Sequence, residues 1–304
     1  MGPPLILCID VEPDPRLPDR ANPAPWRGFE RFVEEMPALR ARLRSATGQA
    51  PHFTWFLRMD PQVADTWGSA TWVEDEYGEQ LAALRAEGDE RGLHTHSWRW
   101  DEAADSWLAD RADPGWVAHC TTVAFDAFEA AFAETCRTFR GGDRHITPEL
   151  LALAAARGVE VDLTIEPGLA PEAALGAGEQ ALGDTPDYQH APTAPYRYAS
   201  VDDYLTPGPG GDGPLMIPLF SAQEDGGGRS PLYLWTEPDE FAGRLDAELR
   251  AGVPPALAFG VRTDLPLIPE WEFFVVNLEH VAEHARLGGS GYLTASEAAA
   301  GLTV

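Results

Sequence analysis

The feature that most restricts the fold is the unbroken apolar run Leu5-Ile-Leu-Cys-Ile9, stopped by Asp10-Val-Glu-Pro-Asp-Pro15. A strand that is apolar at every position, rather than every second one, has both faces buried. Helices must then cover both faces of its sheet, so the run demands a parallel strand in an α/β domain. The prolines end its ladder by removing backbone donors. Short strand-like runs recur between amphipathic stretches. Residues 52–57, 92–96, 159–164, 232–235, 256–261 and 291–293 read as strands, and 29–45, 72–87, 113–138, 238–251 and 272–287 as helices. Gly88 and Gly158 stand where helices must end, and Pro148 where one begins. No glycine-rich phosphate loop follows the first strand, which favours a distorted parallel (β/α) barrel of about seven strands over a doubly wound nucleotide fold.

Residues 166–229 break this rhythm with Gly, Pro, Ala and Asp, and only 196–199 and 215–219 look strand-like. The segment is too long for an ordinary connection and reads as an insertion or lid on a single domain spanning 1–304. With 22 Lys and Arg against 49 Asp and Glu, the formal charge of −27 repels phosphate backbones and anionic lipid, so neither nucleic acid nor membrane is an expected partner. Cys8, Cys120 and Cys136 have no paired spacing and form neither a disulfide framework nor a zinc-ribbon pattern. The apolar run begins almost at once, without a basic n-region or cleavage site, and no window reaches the roughly 18 apolar residues of a membrane span. A cytoplasmic location is expected. A homo-oligomer is compatible with the sequence.

Two pairs of metal-capable side chains have the same spacing. Asp10 and Glu12 are separated by one residue, and so are His94 and His96. On an extended strand that spacing puts both members on one face. Two His with one or two carboxylates at strand ends make a divalent-metal site with open coordination positions. Glu12, His94 and His96 are the expected ligands of one ion, zinc first, with cobalt, nickel or iron as alternatives. Arg58 and Asp60 follow the second strand and could point into the mouth. Trp98 offers an aromatic face on which a sugar ring could stack, and Arg262 a fork for a substrate carboxylate or phosphate.

The order of these pieces resembles the polysaccharide deacetylase (NodB-homology) family. Ile9-Asp-Val-Glu12 is similar to its first motif, Phe53-Thr-Trp-Phe56 to its second strand, and Glu90-Arg-Gly-Leu-His-Thr-His96 to its His motif. Phe139-Arg-Gly-Gly-Asp143, with Glu149-Leu-Leu and Gly158-Val-Glu-Val-Asp162 after it, is similar to the Arg-containing third motif. The resemblance implies an incomplete (β/α) barrel, Asp10 as general base, Glu12 and His94 as metal ligands, and Arg140 as the cation that orients the base. Two positions depart from it. The family's second His falls at Trp98, and its late-strand His, a general acid, is missing from Phe259-Gly-Val-Arg262-Thr-Asp264. The function implied is metal-dependent hydrolysis of an acylamino C–N bond, most simply N-deacetylation of a small soluble amino sugar or biosynthetic intermediate. The alternatives are isomerisation, elimination or ring opening on the same metal site, or a non-catalytic binding protein.

Overall fold

A computed structural model describes residues 2–176, 178–209, 213–224, 226–264 and 270–303. In chain order its first half comprises β1 (Leu5–Val11), α1 (Arg27–Thr47), β2 (Thr54–Arg58), α2 (Pro61–Trp67), α3 (Trp72–Ala86) and β3 (Glu90–Thr95). Then come a hairpin of β4 (Trp98–Asp101) and β5 (Ser106–Asp110), α4 (Pro114–Phe132), β6 (Thr138–Gly141), α5 (Pro148–Ala156) and β7 (Val161–Asp162). Short strands follow: β8 (Gln180–Leu182), β9 (Tyr198–Ser200), β10 (Asp203–Pro207), β11 (Leu215–Met216), β12 (Ser221–Gln223) and β13 (Arg229–Pro231). The chain ends with α6 (Pro238–Ala251), β14 (Leu257–Arg262), α7 (Glu270–Glu283), β15 (Tyr292–Leu293) and α8 (Ala295–Gly301).

Seven parallel strands form the main path, in the order β11-β7-β6-β3-β2-β1-β14, with β15 against the first residues of β1. Helices cover the outside. Just after β11, Phe220 N–H donates to Ala258 O of β14 at 2.7 Å, so one backbone bond spans the two ends of the sheet. The result is the distorted (β/α) barrel.

The unbroken hydrophobicity of β1 is explained by its two faces. Leu5, Leu7, Ile9 and Val11 join the core beneath the helices, whereas Ile6 and Cys8 join a second apolar cluster inside the barrel. The same alternation runs around the ring: Leu93 and Phe139 point outward into the helical core, and Phe56 and Ala258 inward. Period-two geometry then sends Asp10, Arg58, His94, Arg140 and Arg262 toward the interior, at the C-terminal ends of their strands. The register aligns them laterally, pairing Arg58 with His94, His94 with Arg140, and Asp10 with Arg262.

Several expectations are corrected. The helix expected over 113–138 ends at Phe132, because Ala133 adopts the left-handed conformation at φ 51°, and Thr138–Gly141 is a barrel strand. Residues 232–235 form a turn rather than a strand. Beside the barrel, β8 extends the β4–β5 hairpin into a three-stranded sheet. The supposed insertion contains β11, which pairs in parallel with β7, so part of 166–229 is barrel rather than lid.

Candidate active site: a buried Glu-His-His cluster at the barrel mouth

Glu12, His94 and His96 converge as the spacing argument expects, and their ligand atoms all lie within 4.8 Å of one another. Glu12 Oε1 is 3.1 Å from His94 Nε2 and 2.9 Å from His96 Nε2, and the two Nε2 atoms are 3.0 Å apart. Ligand bonds of about 2.0–2.2 Å around a tetrahedral zinc ion put donors roughly 3.3–3.5 Å apart. The trio is therefore within a few tenths of an ångström of a zinc-sized arrangement, and its donor set fits the ion.

The groups behind the ligands fix their orientation. His94 Nδ1 donates to Arg140 O at 2.8 Å, which leaves the Nε2 lone pair aimed at Glu12 and His96. His96 Nδ1 lies 3.2 Å from Asp143 Oδ1 and 3.2 Å from Trp98 Nε1. The Trp98 indole N–H donates to that Nδ1, and the Asp143 carboxylate lies beside the same atom as its nearest charge. A Cβ on Gly142 would collide with the His96 imidazole, so the ring packs directly on glycine backbone. Asp143 itself takes φ 53° and Arg144 φ 48°, left-handed values that cost strain in non-glycine residues. Arg16 and Arg111 both pair with the Asp143 carboxylate and hold it there.

Below Glu12 lies Arg58, with no solvent exposure. It donates to Glu12 Oε2 at 2.5 Å, to Asp60 Oδ2 at 2.7 Å and to Gln62 Oε1 at 2.6 Å. Asp60 also accepts from Gln62 N–H to cap α2, and from His96 N–H at 2.9 Å. That last bond holds the stretch after β3 where His96 reaches the trio. Burial would push the Glu12 carboxyl up, but Arg58 and the imidazoles outweigh it and hold it well below the usual carboxylate range. Burial, reinforced by Arg58, keeps the His96 imidazole neutral by lowering it well below its ordinary value.

Asp10 stands beside this trio. Its carboxylate takes Arg140 Nε at 3.0 Å on both oxygens, and Oδ1 is 4.0 Å from His94 Nδ1. Arg140 continues to Leu163 O and, at 2.7 Å, to Glu166 Oε1, whose other oxygen accepts the Tyr233 hydroxyl at 2.8 Å. A cavity of about 200 Å³ opens over Asp10, Glu12, His94 and His96, walled by Glu166, Tyr233, Trp235 and Arg262 among others.

Three of the nine residues singled out in the sequence do other work. Arg58 and Asp60 are fully buried and absent from the cavity wall, and they bond Glu12 and the His96 backbone instead. Trp98 is also fully buried and stacks behind His96, at 6.3 Å and 23° between rings, instead of forming a platform. Arg262 does line the cavity, with its guanidinium held by Asp264 at 2.9 and 2.6 Å. Sequence reasoning passed over Arg16, Asp143, Glu166, Thr263 and Tyr233. Thr263 hydrogen-bonds both the amide and the carbonyl of Glu12. Of these only Asp143 carried a local signal, as the end of the Gly-Gly-Asp turn.

No family model matches the sequence, and no curated protein matches it. Solved structures do. A putative polysaccharide deacetylase from Mycobacterium smegmatis aligns over 99% of this chain and 91% of its own, at 14% identity and a TM-score of 0.44. A peptidoglycan deacetylase from Bacillus subtilis aligns over 98% and 91%, at 10% identity and 0.43. A branching enzyme from Pyrococcus horikoshii aligns over 100% and 71%, at 11% identity and 0.51. The last of these, the one above 0.5, is a likeness of fold alone, in agreement with the distorted parallel barrel described above, and leaves the chemistry to the residues. No helix among the described residues is long and apolar enough to cross a membrane.

Proposed function

We propose that this chain is a metal-dependent hydrolase of acylamino C–N bonds, acting as an N-deacetylase on a small soluble amino sugar or biosynthetic intermediate. The observation that carries the reading is a cavity-lining carboxylate, Asp10, beside a buried Glu12–His94–His96 trio on the floor of one small cavity. Glu12, His94 and His96 would hold a divalent ion, zinc before cobalt, nickel or iron. Bound there, such an ion supplies an acidified water and polarises the acyl oxygen. Asp10 takes the proton of the attacking water as its oxygen adds to the acyl carbon. Arg140, in contact with both Asp10 oxygens, fixes the direction from which that proton is taken. The 200 Å³ cavity suits a monomer-sized substrate better than a polymer chain.

The test is acetate release from a panel of N-acetylated amino sugars and their nucleotide-linked forms by zinc-loaded protein. Asp10→Asn should bind zinc as the wild type does and lose about 10²–10⁴-fold in turnover. Zinc-loaded protein that transforms a panel member without releasing an acyl group would move the chain to isomerisation, elimination or ring opening. Protein that takes up no zinc, cobalt, nickel or iron would sink the metal reading.

A further inference from the structure

Hydrolysis of an acylamino bond needs two proton transfers, and Asp10 provides for one. The second goes to the leaving nitrogen. Without a donor that nitrogen would depart as an amide anion, a far stronger base than any side chain.

The cavity wall narrows the choice of donor. Its arginines hold their protons too tightly to release them, and His94 and His96 have their ring nitrogens engaged. Glu166 accepts from Arg140 on one oxygen and from Tyr233 on the other, so it has no proton to give. Among the described residues of the wall, Tyr233 is the one that carries a hydroxyl. Its ring is fixed by a parallel stack on Trp235, with centroids 4.4 Å apart and planes 10° from parallel. Its oxygen ends a continuous line, Asp10–Arg140–Glu166–Tyr233, that runs from the base across the cavity.

We infer that Tyr233 is the proton donor to the leaving amine, an inference that rests on the hydrolase reading above. Water gives one proton to Asp10 and its oxygen bonds to the acyl carbon. The C–N bond then breaks with its electron pair on nitrogen, and nitrogen takes the phenolic proton. Asp10 loses its proton to solvent, the phenolate regains one, and the products are a carboxylic acid and an amine. Glu166 anchors the phenol until substrate arrives and holds Arg140 against the base. Burial, together with the Glu166 charge, pushes the Tyr233 phenol up from its ordinary 10. It therefore stays protonated throughout the neutral range.

The experiment compares zinc-loaded wild type with Tyr233→Phe on two kinds of substrate. One is the N-acetylated amino sugar that the wild type cleaves best. The other is 4-nitrophenyl acetate, whose leaving group departs without a proton. Tyr233→Phe keeps the ring stacked on Trp235, and zinc affinity by titration calorimetry should be unchanged. Amide cleavage should fall about 10²–10⁴-fold in kcat with little change in KM, while ester cleavage stays near the wild-type rate. The wild-type amide rate should show no alkaline fall below about pH 9, because a phenol above 10 has not yet lost its proton. Equal losses on amide and ester would make Tyr233 a positioning residue and overturn the inference. Undiminished amide cleavage would overturn it as well. A wild type that cleaves no member of the panel would remove the hydrolase reading, and this inference with it.

Discussion

Asp162 offers the sharpest test of how the barrel interior is balanced. It is wholly buried on β7, and its carboxylate accepts from Thr164 N–H at 2.9 Å and Thr164 Oγ1–H at 3.0 Å. Thr164 Oγ1 in turn accepts from Gly141 N–H, next to Arg140. Burial dominates these bonds and raises the carboxyl from 3.8 to about 7. Between those values the folded chain keeps a proton that the unfolded chain has released, so stability falls as pH rises through the window. The rise corresponds to roughly 4 kcal/mol once both states are ionised, of which about 2–3 kcal/mol develops between pH 5 and pH 8. Asp162→Asn replaces the protonated carboxyl with a neutral group of similar shape and removes that dependence. In urea unfolding followed by circular dichroism, the variant should gain on the wild type by roughly 2–3 kcal/mol from pH 5 to pH 8. A wild-type-to-variant gap that stays constant across the range refutes the reasoning, because it means Asp162 titrates alike folded and unfolded.

Two further outcomes follow from the metal centre. His94→Ala and His96→Ala should each abolish stoichiometric zinc uptake by calorimetry, whereas His190→Ala, at an exposed residue outside the cluster, should bind as the wild type does. Arg58→Met leaves Glu12 and Asp60 buried without their cation, a change that typically costs about 3–5 kcal/mol. The urea midpoint should fall accordingly, and an unmoved midpoint would contradict the pairing.

The barrel was legible because β1 is apolar on both faces, as a helix-covered parallel strand must be, and strand-like runs alternate with amphipathic helices after it. The convergence of Glu12, His94 and His96 was legible because strand periodicity turns an i, i+2 spacing into a shared face. What could not be read was decided at long range. Arg58 and Asp60 look like exposed residues after a strand, and only the fold brings them against Glu12, 46 positions away, and His96, 36 positions away. Arg16 comes from a proline-rich loop and reaches Asp143 across 127 positions of sequence. Tyr233 was placed on a strand, where its side chain would alternate with Leu232 and Leu234, and the turn it occupies aims it instead at Glu166. The strand-like run at 215–219 contains β11, but nothing in so short a run within Gly/Pro-rich sequence tells that it pairs with β7 as part of the barrel.

Asp60 has a consequence for how such a site can change over time. One carboxylate starts a helix, neutralises a buried guanidinium and sets the backbone of a ligand. Every one of those partners is a donor. Asparagine at this position would turn its NH₂ toward at least one of them, donor against donor, in a place that water does not reach. Single-step drift is thus closed off, and the open routes replace Asp60 and Arg58 together. Related chains should carry both residues or neither, as a matched pair inherited as a unit.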